Sequence, residues 1–178
     1  IVVTSTSNII GADATNYFLT QPTGLTANIN AAPTTLLAGD VAVVAINSTN
    51  PDKFSIILLK AITSGTAINF TDNGFTGTDT TGRTGEGFLT YTANADLPIG
   101  TILTWTNGMT ITGTGWSSNN PGSFAFSGSG DQMFIFQGAT ANWVSQSGIT
   151  LVYGLNYGGA LSATSGAGNT LQPNTSIL

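Results

Sequence analysis

FSIILLKAITSGTAINFTDNG, residues 54–74, decides the fold. Its first nine residues, FSIILLKAI, have the apolar content of a short buried helix. Phe54, Ile56 and Ile57 favour extended backbone, however, and a Thr-Ser-Gly turn follows at 63–65. After the turn, TAINFTD alternates apolar and polar residues with the period of a strand, then ends on Asn73-Gly74, a tight-turn signal. Two strands joined by a turn account for the stretch better than a helix does.

The same period runs through the chain. DVAVVAIN (40–47), FSIILLK (54–60), TAINFTD (66–72), GFLTYTA (87–93), TILTWTN (101–107), SFAFS (123–127), DQMFIFQG (131–138) and ITLVYGLN (149–156) all read as strands. Each is rich in β-branched or aromatic residues and bounded by Gly, Pro, Asn or Asp. Short strands with closely spaced turns predict an all-β fold, an antiparallel β-sandwich of jelly-roll-like or Ig-like form. AITSGTAINFTDNG (61–74) is echoed by DLPIGTILTWTNG (96–108), in which a Gly-Thr step again opens the strand and Asn-Gly closes it. The echo reads either as a duplication or as shared grammar for entering a strand.

Residues 1–38 are mostly small and polar and read as an extended N-terminal arm. The sandwich domain is expected over 39–178. The arm begins IVVTSTSNII, where Ile1, Val2, Val3, Ile9 and Ile10 supply an apolar strand on a Ser/Thr/Gly tether. Such a strand has two destinations, its own sheet or the sheet of a second copy. In the second case it is an intersubunit strand of the donated kind.

Composition narrows the function. Charged residues make up 6% of the chain, against about 25% in ordinary soluble domains. Net charge is −5, with only Lys53, Lys60 and Arg83 as bases, which excludes the basic stripe of a nucleic-acid binder. There is no cysteine, hence no disulfide or thiolate chemistry, and no apolar run long enough to span a membrane. No leader is read in the sequence, so an exported chain would be numbered from after its cleavage. With no histidine to activate the many Ser and Thr residues, nucleophilic catalysis is poorly supplied. Asp72, Asp79, Glu86 and Asp131 are the candidates for a carboxylate pair, against the simpler reading of an Arg83–Glu86 or Arg83–Asp72 ion pair.

TDNGFTGTDTTGRTGEG (71–87) gathers Asp72, Asn73, Asp79 and Glu86, oxygen donors suited to a metal such as Ca²⁺. The competing reading makes Asp72 and Asn73 turn residues bonded to local backbone. Trp116, in TGTGWSSNNPG beside Asn119 and Asn120, is a candidate glycan contact, unless its indole folds back over the sheet; Trp143 reads as packing. Asn47, Asn69 and Asn174 head glycosylation sequons.

LAGDVAVVAINSTNPDKFSIILLKAITSGTAINFTDNGF, followed by GEGFLTYTA, PIGTILTW, SFAFSGSGDQMFIFQG and LVYGLN, resembles an all-β module of secreted bacterial surface proteins. The likeness covers residues 37 to about 156 and rests on motif order and spacing. It implies export and a sandwich fold, and no particular chemistry. The functional expectation is a non-enzymatic structural subunit of an extracellular filament, tube or surface layer, a homopolymer joined by strand addition or edge packing. The alternative is a carbohydrate-binding, adhesive module of a larger surface protein.

Overall fold

The computed structural model describes residues 7–20, 31–75, 81–110, 113–119, 123–157 and 176–177. It divides into two units, residues 1–31 and 32–178. In the first, the described residues hold one 3-10 turn, Ala14–Asn16, and expose Ile10, Tyr17 and Phe18. Ile1, Val2 and Val3 lie outside the described residues; Ile9 is half-buried.

The second unit is an antiparallel β-sandwich. Its strands are β1 (Val41–Asn47), β2 (Lys53–Leu58), β3 (Ala67–Thr71), β4 (Phe88–Thr92), β5 (Ile102–Thr106), β6 (Trp116–Asn119), β7 (Asp131–Gln137), β8 (Thr150–Tyr157) and β9 (Ser176–Ile177). One sheet has the order β1-β2-β5 and the other β6-β4-β3-β7-β8-β9, with all pairings antiparallel except β8 with β9. The segment 32–38, assigned to the arm by composition, belongs to this unit. Leu36 is fully buried, and its backbone N–H donates to Gln137 Oε1 at 2.7 Å.

The core forms where alternate side chains of the two sheets meet. Phe54, Ile56, Leu58, Leu103 and Trp105 come from the small sheet, and Ile68, Phe70, Leu89, Tyr91, Met133 and Ile135 from the large one. Phe54 lies at the centre of an aromatic group, with Phe70, Trp105, Trp116 and Phe124 ring centroids 5.1–5.8 Å away. The alternate residues of β4 and β7 point to the other face of the large sheet. There Phe88, Phe134 and Phe136 pack with Phe75 and Trp143 in a second cluster. β7 is therefore buried on both faces, which explains the unbroken apolar run MFIF.

The two echoed segments meet. Ile62 and Leu97 exchange backbone hydrogen bonds of 2.9 and 2.8 Å, and each segment then turns through a left-handed glycine, Gly65 (φ +83°) or Gly100 (φ +87°), into its strand. Only glycine takes such φ values without strain, which is why the turn repeats in the sequence.

Candidate functional site: a carboxylate clamp and the open sheet edges

Segment 123–127, SFAFS, has the alternation of a strand but belongs to no ladder. Phe124 and Phe126 are buried in the main core. Three successive backbone N–H groups donate instead to three aspartates: Ala125 to Asp72 Oδ2 at 2.8 Å, Phe126 to Asp52 Oδ2 at 2.9 Å, and Ser127 to Asp131 Oδ2 at 2.8 Å. Carboxylate oxygens take the place of the carbonyls a neighbouring strand would offer. Asp72 also accepts from Gly87 N–H at 2.9 Å through Oδ1, and its carbonyl accepts from Gln132 Nε2. Gly87 permits the approach, since a Cβ there would lie 2.2 Å from the Phe124 nitrogen.

This arrangement answers the calcium expectation. Both carboxylate oxygens of Asp72 face N–H donors. Asn73 Oδ1 accepts from Glu86 N–H at 3.0 Å, while its Nδ2 donates to Thr71 Oγ1 at 2.9 Å. Asp79 lies outside the described residues. Among the described residues, no group of three or more acidic, His or Cys side chains is placed to hold a metal. Asp72 and Asn73 do bond backbone, but not that of their own turn: their oxygens accept N–H groups 13 to 53 residues away in the chain. The Arg83–Glu86 and Arg83–Asp72 ion pairs do not form; among the described residues, the salt bridge is Lys60 with Asp40 at 3.1 Å.

Burial pushes Asp72 up to about 7, with the nearby Glu86 charge adding to it against the N–H bond from Ala125. Burial likewise raises Glu86 to about 7, helped by Asp131 and opposed by Arg83. Asp131 is raised too, again by burial first. Asp72 and Glu86 hold their protons more tightly folded than unfolded, so the folded state binds more protons between about pH 4 and 7. Stability is therefore present in full at the acidic end of this window and falls as pH rises through 7. Thermal unfolding is expected at a higher temperature at pH 5 than at pH 8; a lower Tm at pH 5 would refute the assignment.

Trp116 does not face solvent. It packs in the main core against Phe54, Phe70 and Tyr91, which corrects its reading as a glycan contact. Asn119 ends β6, and Asn120 lies outside the described residues. Trp143 is buried, as its packing role requires. Next to it opens a cleft of about 210 Å³ lined by Thr84, Glu86, Phe88, Thr140, Trp143 and Val144, which the sequence pattern did not mark. Of the sequons, Asn69 is buried and donates to the Gly138 carbonyl, and Asn174 is outside the described residues.

The sheet edges complete the site. No charged residue and no proline occurs in VAVVAIN (β1), ILTWT (β5) or WSSN (β6), so the usual guards of strand edges are missing. The β1 edge is kinked by a bulge between Val43 and Ala45, and β1 neighbours β8. β6 is four residues long, and its Trp116 N–H is taken by Thr114 Oγ1. β8 is bridged by β9 at Tyr153 and Gly154. β5 is the regular one: five residues in unbroken register with β2.

No family model matches the chain, and no curated protein or solved structure matches it either. No described helix is long and apolar enough to cross a membrane.

Proposed function

We propose that this protein is a non-enzymatic structural subunit of an extracellular filament, tube or surface layer, whose copies join through their sheet edges. The observation that carries the reading is the set of unguarded edges of a sandwich whose charged residues amount to 6% of the chain. Weak charge leaves little repulsion between copies, and open backbone groups supply the means of joining. The aspartates at 52, 72 and 131 support it further, because they are committed to holding a loop. Two modes of joining are distinguishable: donation of the N-terminal segment, residues 1–10, to a neighbour as an added strand, and pairing of edges already present. Electron microscopy of the full chain is expected to show regular assemblies. V3K abolishes them if the strand is donated and spares them if edges pair, whereas fields of separate monomers would refute both.

The alternative reading, a glycan-binding surface module, finds its support in the cleft beside Trp143, where Glu86, Thr84 and Thr140 surround a largely apolar floor.

A further inference from the structure

The hydrogen-bond parity of β5 identifies which edge meets its partner, and in which register; the argument rests on the self-association reading above. Leu58 N–H donates to the Thr101 carbonyl and Asn107 N–H to the Asp52 carbonyl. With the register Ile57↔Ile102 to Lys53↔Thr106, these bonds fix the alternation: residues 101, 103, 105 and 107 direct their backbone groups at β2. Ile102, Thr104 and Thr106 direct theirs outward. Thr106 is already used, since its N–H meets Met109 Sδ at 3.3 Å and its carbonyl accepts from Met109 N–H at 3.0 Å. Ile102 and Thr104 thus present two outward N–H groups and two outward carbonyls with no partner among the described residues.

We propose that two copies join antiparallel through β5 about a two-fold axis at Leu103. Ile102 of one copy then faces Thr104 of the other, and the reverse. Each pair exchanges two N–H···O bonds, so all four free groups of each edge are satisfied. Neighbouring registers do worse. Centring on Thr104 sets Ile102 against Thr106, whose groups belong to Met109. Centring on Ile102 sets Thr104 against Gly100, whose N–H donates to Leu58. A second copy also fits in charge: the chain carries −5, and TILTWT carries none of it. On the outer face, the joined strands place the β-branched Ile102, 60% exposed, beside Thr104, a pairing that favours sheets. The result is one continuous six-stranded sheet, β1-β2-β5-β5-β2-β1.

The absence of cysteine makes the register directly testable. I102C and T104C are purified separately and oxidised alone and mixed. Residues facing each other in such a pair have Cα atoms about 5.5 Å apart, within disulfide range. The mixture is expected to give a disulfide-linked dimer several-fold more abundant than either variant alone. In parallel, I102K, placing a lysine at an exposed position, is expected to keep the far-UV circular dichroism spectrum and weaken self-association at least tenfold. If the unmodified chain associates while I102K associates equally well and the mixture shows no preference for linkage, the β5 register is wrong and self-association stands. If the unmodified chain is monomeric at every concentration, both fail.

Discussion

Replacing Asp72 with alanine is expected to lower the unfolding free energy by about 3–5 kcal/mol, although the residue is an acid in a protein interior. The reason is what its carboxylate holds. Gly87 N–H and Ala125 N–H both end on it, at 2.9 and 2.8 Å, and Asp72 is 1% exposed. Alanine leaves two buried donors without acceptors, at about 1–3 kcal/mol each. It also loosens the 123–127 segment that carries Phe124 and Phe126 into the core. D72N separates the causes: it keeps the shape and one acceptor, but turns an NH₂ toward one of the N–H groups. Its loss should fall between wild type and alanine. Urea unfolding at pH 7 measures all three, and a D72A loss below about 1 kcal/mol would show that the clamp does not hold the loop.

Phe54→Ala is expected to have an effect of similar size, about 3–5 kcal/mol, by a different route. Phe54 is fully buried, and rings from both sheets and from the clamped loop meet on it, Phe126 included at 6.2 Å. Removing the ring opens a cavity that five aromatic neighbours, each held by its own strand or loop, cannot fill by collapse. F54L keeps most of the volume and should cost roughly 1–2 kcal/mol, in the range of near-isosteric swaps. Against a typical domain stability of about 5–15 kcal/mol, F54A and D72A each remove a large share. An F54A loss equal to that of F54L would mean that the aromatic group is not the centre of the core.

Much of the architecture was legible because period-two alternation reports which strands have a buried face. Seven of the eight stretches read as strands form ladders, from β1 to β8 without β6. SFAFS shows the limit of that signal: alternation registers that Phe124 and Phe126 are buried, and says nothing about what its N–H groups bond. Two of their three partners are distant, Asp72 lying 53 residues from Ala125 and Asp52 74 from Phe126, beyond any local pattern. β6, WSSN, was missed for the complementary reason, since its two serines and asparagine lack strand character and its pairing with β4 is decided by the fold. Trp116 stood between two readings for the same reason: flanking Gly and Ser residues look like a loop, yet the indole enters the core, as the folded-back alternative had it. The absence of charge in ILTWT was plain in the sequence. That β5 ends a sheet, and which of its backbone groups remain free, required the topology.

Copies of this chain are expected to join through their sheet edges, and sedimentation velocity of the unmodified full chain over a wide concentration range tests this most directly. The sedimentation coefficient is expected to rise with concentration from monomer to dimer and beyond. A single monomer boundary at every concentration would contradict it.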